Sequence, residues 1–538
     1  MADVEQSADS SRLTQGDRLS GRLVDSNEDD IEKLGRKRPE VFKNVFTEIG
    51  FCLSILASNL VSCYLAISQE FLISGMNVLL PSLVRELHIP SESQTWPASI
   101  FTLVAGAFLL PFGRLCDMYG ASVVFLTSIA WLSIWTLVGG FSQNLAMLLV
   151  TRAFQGLGSA ANLPAGLALL SSMYRPGPRK NFVFSLYGGC APFGFFAGIL
   201  VAGLSGQVIH WGWFFWIVSM ALAVTGSVSI FCIPRDMHAR QGSMDWWGCA
   251  SSMPGIFLLV YAITESSHVR GGWGSPQIIV TFVLGVLFLV GFVYVENKRA
   301  THPLLPASIF SPKHTVVLFL YLFLVYGCFG IYLFYASFYI EIVLNVPSFL
   351  AALWFAPLAA GGIIIALVGG MTLHRLSGTL LLLLSASGFL VCVLLFAVMP
   401  ENPSYWPWVF PAMVCATLGI DISYNVSSIF ITTNVAKHEQ GLAGACVNGL
   451  VFLGIAFFLG WADLAVAKTA YLGTRGSYKT AFFLGTGCAG VAIVLVALGI
   501  RVDKAKSGLT VDEKADLHDE PVAVDSALEP DRRVVGRK

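Results

Sequence analysis

From Asn181 to Pro234 the chain contains no Asp, Glu, Lys or Arg. A helix crosses a bilayer core with roughly 20 mostly apolar residues, so this one uncharged stretch is long enough for two crossings. The pattern recurs along the sequence. Fourteen apolar runs are read, at about residues 50–80, 97–115, 121–140, 144–171, 182–206, 211–233, 246–264, 275–295, 315–341, 348–370, 378–399, 407–433, 441–465 and 480–500. Lipid offers the backbone no hydrogen-bond partners, so runs of this kind must be helices. The predicted fold class is therefore an all-α polytopic membrane protein whose principal partner is the lipid bilayer.

Charge placement supports this. Only 12% of the 538 residues are charged, about half the usual share for a soluble domain, and the charges gather in the tails and short interhelical breaks. Residues 1–48 and 501–538 read as disordered polar tails. The first tail has no apolar stretch of the kind a cleaved leader needs, so the first span is expected to act as the insertion signal. An even number of spans puts both tails on one side. The excess of Lys and Arg in cytoplasmic loops makes that side the cytoplasm, leaving Arg85, Arg270, Lys468, Arg475 and Lys479 outside. Three of these sit in the last outer loop and run against the rule. With formal net charge zero and no separate basic stripe, nucleic acid is not an expected partner. The eleven cysteines are scattered, most of them inside apolar runs, without metal-ligand spacing, so no metal or other cofactor is expected. No hydrolase, zinc-protease or phosphate-loop signature points to an enzyme.

Two motifs carry a resemblance. After the second span comes GRLCDMYG, with Gly113, Leu115, Asp117 and Gly120 in the spacing of a G-x-L-x-D-R-x-G loop; the fourth span reads RAFQGLG, with Arg152, Gln155, Gly156 and Gly158 in the spacing R-x-x-Q-G-x-G. Both resemble the major facilitator superfamily. The first motif departs from the family pattern at Met118, where a basic residue is usual, and at Ala121 and Ser122. Gly194, Gly198, Ala202 and Gly206 recur every four residues in the fifth span. They form a small-residue ridge on which another helix can pack, similar to the family's antiporter helix, although Ile199 stands where that motif has Pro. MDWWG at Met244–Gly248 and ENKRATHPLLPASIF at Glu296–Phe310 resemble the fungal-type fourteen-span drug:proton antiporter branch, and GGMTLHRLSG, with Arg375, resembles a degenerate second copy of the first loop. The resemblance implies two six-helix bundles, 49–236 and 297–500, with an extra helix pair at 244–296 between them. It also implies a gating role for Gly113, Asp117, Gly120 and Arg375, and helix packing through Gly156, Gly194, Gly198 and Ala202.

Lone polar residues inside spans mark the candidate site. Asp421 stands in the middle of the twelfth span with Tyr424 and Asn425 three and four residues on, and Glu70 stands in the first span beside Gln69. Intramembrane carboxylates are functional candidates by default, and alternate loading and release of a proton is work suited to them. Arg152 is the one charge between Tyr119 and Arg175; it should face protein or water, with Gln155 one turn away, and could pair with either carboxylate. Glu341 and Asp463 lie near span ends and read as interfacial. Phe334, Tyr335, Phe338 and Tyr339 read as packed aromatics before cavity lining. The expected function is proton-coupled efflux of a small organic molecule by alternating access, with substrate and protons as the transported partners and the chain acting as a monomer. Uptake or facilitated movement of a small solute or ion is the alternative, and a non-transporting membrane sensor a second. The plasma membrane is the expected location, with the vacuolar membrane as the alternative.

Overall fold

The computed structural model describes residues 67–173, 178–233, 243–299, 303–435 and 440–502 and, outside 170–189, 232 and 366–375, their side chains. The two predicted tails, apart from Arg501 and Val502, the start of the first span and the Arg375 side chain lie outside these residues. The described chain is helical throughout its long elements: α1 (Ile67–Glu86), α2 (Trp96–Tyr119), α3 (Ala121–Gly139), α4 (Leu145–Met173), α5 (Pro178–Gln207), α6 (Gly212–Cys232), α7 (Trp246–Glu265), α8 (Pro276–Lys298), α9 (Thr315–Phe338), α10 (Ser348–Trp354 and Ala356–Arg375, broken at Phe355), α11 (Gly378–Val398), α12 (Tyr405–Thr433), α13 (Gln440–Lys468) and α14 (Gly473–Gly499). Thirteen of these are long and apolar enough to cross a membrane. The other, α4, has the length but carries Arg152, Gln155 and Asn162 inside its apolar run. The chain is an integral membrane protein with the predicted span order.

Contacts sort the helices into two sets. In the first, α4 packs on α2 and α3, and α6 on α3; in the second, α12 packs on α10 and α11, and α14 on α11. This is the same pairing eight helices later, as an internal repeat produces. Two seams join the sets, α2 against α13 and α5 against α10. Under the repeat each is the counterpart of the other. Helices α7 and α8 pack chiefly on one another, and α7 also touches α2 and α13. On α8 only Ile278 and Gly285 are buried, while Val280, Val283, Leu287, Val290 and Val293 are exposed. In water such a face would be unstable; in lipid it is solvated.

The side where α2 ends and α11 begins is here called the tail side, and the opposite face the distal side. The first motif is not a loop. Helix α2 runs on through Gly113 and Asp117 to Tyr119, and the chain reverses at Gly120 alone, at φ +89°, a backbone region that favours glycine. No residue between Gly113 and Gly120 breaks the helix, and Arg114 and Asp117 stand one turn apart on its flank. Two of the three basic residues expected in the last outer loop have local partners. Arg475 donates to the Met399 carbonyl at 3.0 Å and pairs with Glu401 at 3.0 Å, and Lys479 donates to the same carbonyl at 2.7 Å. They complete the C-terminal end of α11, where carbonyls are otherwise unsatisfied.

Candidate functional site

The ridge on α5 decides where α1 lies. A Cβ on Gly194 would collide with the Ile67 backbone, and one on Gly198 would sit 2.5 Å from the Phe71 carbonyl oxygen; Ala202 is fully buried beside them. Polar side chains fix the rotation of α1. The Ser74 hydroxyl, 2.7 Å from the carbonyl oxygens of both Glu70 and Phe195, and the Gln69 amide, donating to the Ser159 carbonyl at 3.2 Å, hold one side of α1 on α5 and α4. Glu70 is left half-buried, with its carboxylate unbonded to any described residue, and within electrostatic reach of Asp421 on α12.

Asp421 follows a stretch of α12 whose carbonyls take extra donors. Ser385 of α11 donates to Gly419 at 2.7 Å, and Tyr326 of α9 donates to Ile420 at 3.3 Å. The Asp421 Oδ2 atom lies 3.2 Å from where a Cβ on Gly362 would stand, and Pro192 of α5 lies 2.8 Å from the same point. Glycine at 362 thus lets α5, α10 and the carboxylate meet. The Tyr424 hydroxyl donates to Asn448 Oδ1 at 3.2 Å, tying α12 to α13. Asn425 is half-buried with no hydrogen bond to a described residue. Tyr326 is within electrostatic reach of Asp421, Glu70 and Tyr424 together. The site is therefore two half-buried carboxylates, one from each helix set, surrounded by Tyr326, Tyr424 and Asn448.

Among the described residues, a Cβ on Gly441 or Gly444 would meet nothing within 4 Å, and Gly444 is one turn from Asn448 on the tail side. The distal side is sealed: Gly203 packs on Ala352 and the Ser348 carbonyl, and the Phe349 amide donates to Gln207 Oε1 at 2.9 Å.

Arg152 is elsewhere. It is 1% exposed, donates to the Pro97 carbonyl at 3.1 Å and to Gln155 Oε1 at 2.9 Å, and lies over the Phe101 ring at 4.5 Å. Gln155 in turn donates to the Trp135 carbonyl at 3.3 Å. A Cβ on Gly156 would lie 2.5 Å from the Phe101 carbonyl oxygen, so α4 and α2 are in close contact here. This corrects the suggested ion pair, because Arg152 bonds inside the first helix set and reaches neither carboxylate. Glu341 and Asp463 also depart from expectation. They lie near span ends but are only 7% and 6% exposed, and protein encloses them. Phe334, Tyr335, Phe338 and Tyr339 are packed, with the Phe334 and Phe338 rings 4.7 Å apart. Reasoning from sequence missed Tyr326 and Asn448, although an Asn within an apolar run was a signal for the second. Among the described residues no group of three or more His, Cys, Asp or Glu could hold a metal.

Comparison with known proteins agrees with this architecture. The sequence profile of the Major Facilitator Superfamily matches residues 62–459. The chain is similar to Efflux pump terJ of Aspergillus terreus, 31% identical over 88% of this chain and 91% of that protein. It is also similar to the Low affinity ammonium transporter of Saccharomyces cerevisiae, 32% identical over 78% and 83%, and to the Aminotriazole resistance protein of the same yeast, 31% identical over 90% and 90%. Among solved structures it shares its fold with an auto-inhibited peptide transporter of the POT family, with a TM-score of 0.63 at 15% identity over 84% of this chain and 99% of that one. With a repeated six-helix arrangement, an extra helix pair and a sequence match over most of its length, the chain belongs to the major facilitator superfamily.

Proposed function

We propose that the protein exports a small organic molecule in exchange for protons, with Asp421 and Glu70 as the proton-exchanging groups. The observation that carries this is the carboxylate pair itself, two acids from opposite helix sets with no ion pair or hydrogen bond to any described residue. Two unpaired negative charges at this depth repel one another and lack full hydration. Proton binding relieves both costs, and so does an approaching substrate with a positive or hydrogen-donating group. Substrate and protons then compete, and rocking of the two helix sets about the α2–α13 and α5–α10 seams carries each across in turn. Tyr326, Tyr424 and Asn448 supply donors and acceptors that orient the molecule. The plasma membrane with cytoplasmic tails fits export.

Similarity to an ammonium transporter favours a second reading, movement of a small nitrogenous solute through the same site. One experiment separates them. Protein reconstituted in liposomes with an imposed pH gradient is given radiolabelled aminotriazole or methylammonium, with protein-free liposomes as the baseline. Export by exchange predicts uptake against concentration into acid-loaded vesicles, lost on collapsing the gradient and in Asp421→Asn. Flux indifferent to both changes removes the coupling reading and leaves facilitated movement.

A further inference from the structure

Helix α9 does not end regularly. Its last turn, Tyr339–Val343, is π-helical, a distortion frequently found at functional sites. It places Glu341 inside the distal seal at 7% exposure. The Ser348 hydroxyl of α10 donates to Glu341 Oε2 at 2.6 Å, while Oε1 is buried with no hydrogen-bond partner among the described residues. A carboxylate offers about four acceptor positions, so one donor leaves a buried charge poorly compensated. The same Ser348 hydroxyl lies 3.4 Å from the Ser82 hydroxyl of α1, to which Arg85 Nη2 donates at 3.1 Å. Glu341, Ser348, Ser82 and Arg85 thus form one chain across the seam between the two helix sets, on the distal side.

No cation pairs with it directly. Arg85 bonds Ser82 and gives the Glu341 carboxylate only longer-range electrostatic support, and no described Lys or Arg comes within ion-pair distance of Glu341. From α14, Arg475 is taken up by the Tyr339 hydroxyl at 3.3 Å, Met399 and Glu401, and Lys479 by Met399. From α5 the group brought to this seam is the uncharged Gln207.

We infer that Glu341 is a second proton-binding site: as a neutral acid it lets α1 and α10 close over the distal side, and loss of its proton opens that seam. The step is binding or release of one proton at Oε1, with no other bond made or broken. A neutral acid leaves no charge in the closed seam, whereas the carboxylate regains water when the seam parts. This rests on the proton-exchange reading, because it supplies the distal gate with the same ion that empties the central site.

Ala352, fully buried in the seam against Gly203, provides the reporter. Ala352→Cys protein in detergent, without substrate or pH gradient, is labelled with a maleimide from pH 5 to 8. Rates are normalised to unfolded protein at each pH and corrected for the parent's own cysteines. Labelling is expected to rise about tenfold with pH when Glu341 is present, and to stay low and flat with Glu341→Gln added. Ser348→Ala removes the donor to Oε2 and is expected to move the rise upward by about one pH unit; it decides the matter if the Gln variant fails to fold. A flat profile with Glu341 present, the same rise in Glu341→Gln, or no shift in Ser348→Ala overturns the assignment. The central reading fails separately. If labelling switches with pH while transport ignores a pH gradient, Glu341 gates and coupling is wrong. If transport follows the gradient with labelling unswitched, coupling stands and Glu341 is structural.

Discussion

Arg152 and Asp421 look alike in the sequence, each a lone charge in a long apolar run, and the structure treats them in opposite ways. Arg152 is enclosed, with two acceptors and an aromatic face for its guanidinium. Asp421 is half-buried against Gly362 and Pro192, without a donor among the described residues, and within reach of a second acid. A satisfied buried charge fixes geometry, whereas an unsatisfied one is free to change its protonation or accept a ligand. The difference teaches that depth in the membrane marks a residue as consequential, and its partners decide whether the consequence is structural or functional.

That contrast makes opposite predictions for the two residues. Arg152→Ala strands Gln155 Oε1 and the Pro97 carbonyl; hydrogen bonds to charged groups are each worth about 1.5–3 kcal/mol. The largest loss of thermal stability is therefore expected here, about 3 kcal/mol or more, read as a lower unfolding temperature in detergent. Asp421→Asn should leave that temperature nearly unchanged and reduce gradient-driven transport by about 5- to 150-fold, the usual span of a coupling free energy. If Arg152→Ala folds normally and abolishes only coupling, or Asp421→Asn mainly unfolds the protein, the assignment of roles is reversed.

How much of this was legible in the sequence follows from the same physics. Lipid forces every spanning segment into a long apolar run, so the order and extent of the helices could be read directly. Asp421 and Glu70 were visible because a carboxylate is conspicuous among apolar residues. Tyr326 was not, since a tyrosine fits equally well in an aromatic core, as Tyr335 and Tyr339 do. Its place beside Asp421 depends on α9 crossing α12, which no local pattern encodes. Glu341 and Asp463 were misread for a related reason: position along a helix gives depth but not what packs across it. The first motif misled differently, because its terminal glycines suggested a loop where one positive φ at Gly120 sufficed.

The two ways of joining helices can be compared in the same manner. The α1–α5 contact is steric, with backbones brought together by Gly194 and Gly198. Gly198→Ala puts a methyl group 2.5 Å from the Phe71 carbonyl oxygen and 2.7 Å from Ser74 Oγ, and overpacking of this kind costs about 1–3 kcal/mol. Thermal unfolding should show that loss at every pH, since no titrating group is involved. A pH-dependent loss would mean that α1 had rotated and changed the setting of Glu70.

The strap that holds the extra helix pair is polar and should behave otherwise. Trp96 of α2 donates to Glu265 Oε1 at 2.7 Å, and His268, just beyond α7, lies 2.6 Å from Asp463 Oδ2 of α13, so the α7–α8 connection touches both helix sets. The Asp463 hydrogen bond raises the His268 pKa above its ordinary 6.5, and Asp463, Glu265 and Glu92 add electrostatic support against the opposing effect of burial. A raised folded-state value means that protonated His268 stabilises the fold below about pH 6.5, and that this contribution disappears as pH rises through the folded-state value. The effect is the smallest of the four, about 1 kcal/mol, since it rests on a single hydrogen bond within a largely enclosed pair. The difference in unfolding temperature between the natural protein and His268→Gln should therefore be greatest near pH 6 and fade by pH 9. A difference that grows with pH would show that the neutral imidazole, not the imidazolium, holds α7 to α13, and the strap would then be an ordinary hydrogen bond without a charge.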